Sequence, residues 1–349
     1  MPEQSLFILT PGFAKDESDS TCLPSQQLFV LTAKKIFPEL DILVISLQYP
    51  AEEIHYTWNG VPVYALHGRR YKGLLRFIFW YKTYRRLRGL ASGKNVVGVL
   101  SFWCNESALL GNYLARKKQL VHKIWICGQD ARQGNPFVRW IKPRPHELVA
   151  MSYFLQHEFL KNHNVNPQYV IENAVLHTFQ NLKKDVDVIG AGSLIPLKQF
   201  SLFVEVIAEV RKAIPSLRVM LFGNGPEEAL IKKLIVELNL TETIALHNEV
   251  DHTILMHWMN RSKVLLHPSS YEGYSTVCLE ALANGCHVVS FTSAERTRVP
   301  HWHIVDSKKQ MTANVLEILT EENDFSPIVL HAMEKTVKSM LGTFGVQPK

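Results

Sequence analysis

Short apolar runs alternate, almost from one end of the chain to the other, with stretches in which apolar residues recur every three or four positions. The runs fit buried strands, and the three-to-four spacing fits amphipathic helices. In the first half this pattern predicts strands at 6–9, 42–47, 61–66, 96–100, 123–127, 147–151 and 169–171, with helices at 24–36, 74–87, 106–116 and 154–162. In the second half it predicts strands at 186–190, 218–222, 244–246, 264–266 and 287–291, and helices at 199–213, 227–238, 252–260, 277–283 and 309–319. Strand and helix alternating in this order mark an α/β fold with parallel sheets. The polar stretch 180–185 separates two such series and is expected to be the linker. The expected organisation is a Rossmann-like domain over 1–180, a second over 181–325, and a terminal segment over 326–349 with a helix near 328–341.

The length of 349 residues agrees, being generous for one domain and suited to two. The net charge of +6 permits phosphorylated ligands without requiring nucleic acid as a partner. Cys22, Cys104, Cys127, Cys278 and Cys286 are odd in number, scattered and without a Cys-x-x-Cys pair. That spacing argues for reduced thiols and against a zinc site or a disulfide framework. The start lacks the basic and apolar regions of a signal peptide, and no apolar run is long enough to span a bilayer. A cytoplasmic protein is expected.

The densest chemistry lies between His267 and Ser290. Val264-Leu-Leu reads as a buried strand, Pro268 to Gly273 as a loop, and Ser275 or Thr276 as the cap of a helix that Gly285 ends. Glu272 then sits on the loop at the helix start and Glu280 inside the helix. A helix N-terminus presents unpaired N–H groups and favours an anion. Two acids beside it would repel a bare phosphate, but a carboxylate accepts hydrogen bonds from a diol. A sugar nucleotide carries both parts. The plainer reading is two exposed acids on an ordinary capping loop.

Strand, Pro268-Ser269, Glu272-Gly273 and Glu280-Ala281 in this register resemble the Glu-x7-Glu signature of retaining GT-B glycosyltransferases, of the family 4-like, glycosyl transferases group 1 type. The resemblance is strong over about 186–291 and weaker, but consistent in order, before that. It implies two Rossmann-like domains with parallel sheets facing each other across a cleft, and a C-terminal helix that crosses back to the first. It implies transfer of a sugar from a nucleoside diphosphate sugar, such as a UDP- or GDP-sugar, to a hydroxyl acceptor with the anomeric configuration kept. No metal and no further cofactor are implied. Glu272 would lie near the donor sugar and Glu280 on the ribose. The acceptor would be a glycan or a lipid-linked saccharide, in glycan or cell-surface polysaccharide synthesis.

The same resemblance assigns further residues. Lys198 occupies the family's phosphate-binding lysine position, whereas the arginine position holds Ser193. One cation then faces two phosphates, unless Arg132, Arg261 or another base substitutes. Backbone amides over Gly273, Tyr274, Ser275 and Thr276 would share the diphosphate with Lys198. Gly223 and Gly225 match a Gly-x-Gly-Pro turn near the nucleotide, although Asn-Gly-Pro also suits a plain turn before a helix. On the acceptor side, Gly12 and Asp16 lie on the loop after the first strand. Cys127 replaces a histidine common in the family, leaving Asp130 and Arg132 to face the ligand. Asp185-Val-Asp187 has the spacing of a metal-binding pair, but at a strand start, where it reads as accidental.

Arg69 to Arg88 carries eight basic residues, large aromatics and no acid. It suits a helix at an anionic bilayer, but Leu75, Ile78, Phe79 and Lys82 keep ordinary helical periodicity, which favours a core-facing helix with a solvated basic face. A peripheral position on the inner membrane face is the corresponding expectation. Ser193 and Cys127 leave open a rival function, a sugar-nucleotide-binding scaffold that has lost turnover, and an epimerase on the same fold is a third.

Overall fold

The first apolar run becomes β1 (Gln4–Gly12), the strand around which the first sheet is built. The structure, a computed structural model, describes residues 4–176, 178–293 and 295–347. After β1 come α1 (Pro24–Ile36), β2 (Leu40–Tyr49), β3 (Glu53–Trp58), β4 (Val61–Leu66), α2 (Leu75–Leu90), β5 (Asn95–Phe102), α3 (Glu106–Lys118) and β6 (Val121–Ile126). α4 (Pro136–Ile141), β7 (Leu148–Ala150), α5 (Tyr153–His163) and β8 (Tyr169–Val170) complete the series. The strand order is β3-β4-β2-β1-β5-β6-β7-β8, with β3 antiparallel to β4 and every other pair parallel. The chain winds outward from β1 toward β2 and, through β5, in the opposite direction. Leu6, Phe7, Ile8 and Leu9 on β1 are fully buried, as expected of a central parallel strand covered on both faces.

The second unit runs β9 (Val186–Ala191), α6 (Phe200–Ala213), β10 (Val219–Phe222), α7 (Glu228–Glu237), β11 (Ile244–His247), α8 (His252–Asn260), β12 (Ser262–His267), α9 (Thr276–Ala283), β13 (His287–Ser290), β14 (Trp302–Ile304) and α10 (Lys308–Thr320). Its parallel sheet has the order β11-β10-β9-β12-β13-β14. Phe200, Phe203, Val204 and Ile207 of α6 pack over Val188, Leu221 and Val264, and Cys278, Leu279 and Leu282 of α9 cover the other face.

The units comprise Met1–Asn173 with His331–Lys349, and Ala174–Leu330. The polar stretch 180–185 expected as the linker thus falls within the second unit: Asp185 is ion-paired to Arg261 and Lys184 donates to the Asn284 carbonyl at 3.0 Å. The terminal α11 (Met333–Gly342) belongs to the first unit, where it packs on α1 and Thr336 Oγ1 donates to the Glu172 carbonyl at 2.9 Å. Three elements have no counterpart in the sequence expectation. β3 pairs with β4 through an Asn59-Gly60 hairpin turn, and its alternate residues lie open to solvent, so no apolar run announces it. α4 and β14 are too short to show a period.

Candidate functional site

β12 ends at His267, and the loop after it leads into α9. Ser270 N–H donates to the Leu197 carbonyl at 3.0 Å and Ser269 Oγ to the same oxygen at 3.3 Å. These bonds fasten the loop to the turn that follows β9. Lys198 ends that turn, and its ammonium donates to Glu272 Oε1 at 2.5 Å. His267 Nε2 reaches the same oxygen at 2.8 Å. Only a proton on Nε2 makes that contact favourable, since a carboxylate is an acceptor only. Burial depresses the basicity of His267, which is 1% exposed, and the nearby ammonium depresses it further. The imidazole therefore stays neutral, and Lys198 supplies the counter-charge. Burial acts to raise the Glu272 pKa, but the His267 hydrogen bond and the Lys198 charge outweigh it and hold the group at about 2.

Glu280 lies inside α9, 7% exposed, with Oε1 2.7 Å from His252 Nε2 at the start of α8. Both acids are thus met by a histidine. Sequence reasoning missed both histidines as partners. His267 closes a strand five residues before Glu272, a spacing that a loop return can bridge; nothing comparable flags His252.

Ser275 stands at the cap position of α9, yet its side chain makes no capping bond; its hydroxyl lies 3.4 Å from His267 Nε2. The expected cap is therefore absent. The amides of Thr276 and Val277, the first two of α9, keep their capacity for an outside acceptor, while the Cys278 amide donates to the Ser275 carbonyl at 3.2 Å. Tyr274 donates its hydroxyl to Glu295 at 3.2 Å, and Gly273 is buried.

Gly223 and Gly225 have a packing reason for being glycine. A Cβ on Gly223 would stand 2.0 Å from the Gly192 carbonyl oxygen, and one on Gly225 2.3 Å from that of Leu194. The turn after β10 is pressed against the turn after β9, with Leu194 N–H donating to the Asn224 carbonyl at 2.8 Å. Ser193, at the tip, is exposed. Arg261 does not replace a missing cation, because it grips Asp185 through both Nε and Nη2 and stacks on Trp258 at 4.6 Å. Asp187 is likewise bound, to Lys263 at 2.9 Å and to the Arg218 amide at 3.0 Å. Among the described residues no group of three or more His, Cys, Asp or Glu is placed to hold a metal.

The acceptor-side candidates lie in the first unit and are occupied with holding it together. Asp16 Oδ1 accepts from Ser18 N at 2.9 Å, Ser18 Oγ at 2.6 Å and Asp19 N at 3.0 Å. Gly12 is buried at the end of β1, where a Cβ would meet Cys22 Sγ at 3.1 Å. Asp130 Oδ2 accepts from the Cys104 amide at 2.8 Å and the Cys127 amide at 3.0 Å, tying the ends of β5 and β6 together. Burial raises its pKa to about 7 despite those bonds. Arg132 is exposed just beyond. Cys127 is buried, and burial keeps its thiol protonated.

Residues 176–299 match the family model described as "Glycosyl transferases group 1". Over this segment the chain resembles a glycosyl transferases group 1 domain. The chain is 23% identical over 279 residues to the gpi3 subunit of phosphatidylinositol N-acetylglucosaminyltransferase from Schizosaccharomyces pombe, which covers 75% of this chain and 61% of that subunit. The chain spans less than two thirds of each curated relative it matches. Among solved structures, sucrose-phosphate synthase of Thermosynechococcus elongatus superposes with a TM-score of 0.69 at 13% identity, covering 98% of this chain and 94% of that one. Anabaena Alr3699/HepE, in complex with UDP and glucose, superposes with a TM-score of 0.64 at 13% identity, covering 91% and 90%. These neighbours establish the GT-B fold. The matched segment takes in Lys198, His252, His267, Glu272 and Glu280, so every group of the candidate site falls inside it.

Proposed function

We propose that the protein is a retaining, metal-independent glycosyltransferase that moves a sugar from a nucleoside diphosphate sugar to a hydroxyl acceptor. One observation carries the reading: an ammonium, two histidine-backed carboxylates and the uncapped start of α9 converge in one unit. Each group has a place in the chemistry. When the glycosidic bond of the donor breaks, negative charge collects on the departing diphosphate. Lys198 and the amides over Gly273–Thr276 stabilise that charge without a metal. Glu272, held ionised, orients the hydroxyls of the transferred sugar, and Glu280 takes the ribose diol. Before the donor arrives Lys198 is neutralised by Glu272, so a diphosphate gives the ammonium a second anion to satisfy. Relatives and neighbours whose names specify GlcNAc transfer or bound UDP favour a UDP-sugar. Glycan or polysaccharide synthesis is the expected setting. The alternative of a binding scaffold rests on Ser193 standing where the family has arginine.

We propose further that the protein docks on an anionic membrane surface. α2 buries Phe79, Thr83 and Leu87, while Leu74, Leu75, Phe77, Ile78 and Tyr81 are exposed. Of the expected core stripe only Phe79 is buried. Arg70 and Arg86 meet Glu53, and Arg76 meets Glu106; Arg69, Lys72, Lys82, Arg85 and Arg88 have no ion pair among the described residues. Apolar side chains beside unpaired cations suit the interface of a bilayer with anionic lipids. Among the described residues no helix is long and apolar enough to cross a membrane.

The test is to incubate the purified protein with a panel of UDP- and GDP-sugars and lipid extracts, and to read the anomeric proton of the product by NMR. A product with the donor's configuration supports the reading; inversion, or turnover that requires a divalent metal, overturns it. Co-sedimentation with vesicles containing anionic lipid, lost in Phe77→Ser, checks the membrane surface.

A further inference from the structure

Glu272 satisfies only one of its two carboxylate oxygens within the protein. Oε1 accepts from the Lys198 ammonium at 2.5 Å and from His267 Nε2 at 2.8 Å. Oε2 has no partner among the described residues and is not sealed from solvent. One oxygen is therefore fastened, and the other is left for a ligand.

The two partners of Oε1 differ in what they can do. Lys198 ends the short turn Pro196–Lys198, and its flexible stem can swing the ammonium toward another anion. His267 is the last residue of β12, in register with Ser290 of β13, and its ring is buried. A short, planar side chain packed in this way has little room to turn. Its Nε2 also lies 3.4 Å from the Ser275 hydroxyl at the head of α9, so the ring stands between the carboxylate and the start of that helix.

A diphosphate that reaches Lys198 draws the ammonium away from Glu272. An acid held by that ammonium alone would then be covered, without a counter-charge, and free to turn or to take up a proton. The bond from His267 stays out of this competition. Burial and the neighbouring ammonium both disfavour the charged imidazole, so the ring is neutral and has no attraction to the phosphates. A second ammonium or guanidinium in its place would follow them.

We propose that His267 is a positioning residue: its Nε2–H holds Glu272 Oε1 in place while Lys198 is shared with the departing diphosphate, so that Oε2 meets the hydroxyls of the transferred sugar from one fixed position. Glu272 touches the substrate, and His267 acts through it. The consequence for turnover rests on the transferase reading; the tautomer and the lasting Nε2–H bond do not.

The first measurement needs no turnover. Long-range proton–nitrogen NMR spectra of the histidines in the full chain, assigned with His267→Gln, show which ring nitrogen carries the proton. We expect a neutral ring protonated at Nε2 that persists when UDP or GDP is added. Protonation at Nδ1, an imidazolium at neutral pH, or a change of tautomer with nucleotide overturns the proposal. The second measurement is kinetic. His267→Leu, which removes the donor, should lower kcat about 10–100-fold, the scale of a slightly misplaced catalytic group, with the donor KM within about threefold. His267→Gln, whose amide nitrogen stands as far along the side chain as Nε2, should recover most of that loss. In a Glu272→Ala background His267→Leu should add less than about threefold, because a residue that acts through Glu272 has nothing left to position. An unchanged kcat in His267→Leu, its full loss in the Glu272→Ala background, or equal losses in the Leu and Gln variants overturns the proposal. A parent that transfers no sugar from any donor overturns the transferase reading instead, and the spectra then decide the Nε2–H tie by themselves. Should His267→Leu unfold, His267→Asn, whose amide falls short of Oε1, takes its place in the same comparison.

Discussion

The same place in two sheets, the carboxyl edge of the parallel strands, is used in opposite ways in the two units. In the second, the acids at that edge are met by mobile or ionisable side chains: Glu272 by Lys198 and His267, Glu280 by His252. In the first, Asp16, Asp19 and Asp130 are met chiefly by backbone amides of their own turns. A side-chain partner can change its bonds when a ligand arrives. A backbone amide held in a turn cannot do so without the turn opening. Glu272 and Glu280 are therefore suited to a reaction cycle, and Asp16, Asp19 and Asp130 to rigidity.

Substitution at both edges separates these roles. Glu272→Ala and Lys198→Ala are expected to lower transfer about 10²–10³-fold, the scale seen for removing one charge-stabilising group, and to cost at most the few kcal/mol of stability that the pair contributes. Steady-state rates and thermal scans on the same samples check this; an unfolded Lys198→Ala would make the pair a structural tie. Asp130→Ala should do the reverse. It leaves two buried amides unpaired, costing about 2–4 kcal/mol of stability, while Asp130→Asn keeps a carbonyl for them and costs less. Urea unfolding at neutral pH distinguishes the two.

The third test uses acid. The Glu272 pKa is lowered to about 2 from an ordinary 4.5. Ionisation of Glu272 therefore contributes stability that is complete above about 4.5, on the order of 3 kcal/mol, and is lost as pH falls through about 2. Removing Lys198 brings the folded value back up, so the stability gap between parent and Lys198→Ala should narrow as pH falls through that window. Equal gaps at pH 5 and at the lowest pH where both proteins stay folded would refute the assignment of Lys198 as the counter-charge. The smallest effect belongs to Asp16, whose exposed carboxylate is bonded only within its own loop: Asp16→Asn should change neither rate nor melting temperature measurably.

The contrast also explains what could be read from sequence. The strands and helices at 24–36, 106–116 and 252–260 were legible because burial imposes a period on the residues that meet the core. β3 was not, since it is an edge strand with one wet face. The Glu272–Glu280 register was legible because a strand, a turn and a helix start fix the spacing of groups on one short segment. His252 was not, because 28 residues separate it from Glu280 and only the packing of α8 on α9 brings them together. Asp130 and Asp16 clamp turns, a task the sequence does not distinguish from waiting for a ligand, since both need the same residue.

The bidentate tie between Arg76 and Glu106 has one more effect. It fixes the first turn of α2, and with it the exposed Leu75 and Phe77, to the opening turn of α3. On the proposed membrane surface, contact made by those side chains would therefore be anchored to the carboxyl end of β5 rather than to α2 alone, and Arg76→Ala should weaken vesicle binding while leaving Leu75 and Phe77 in place.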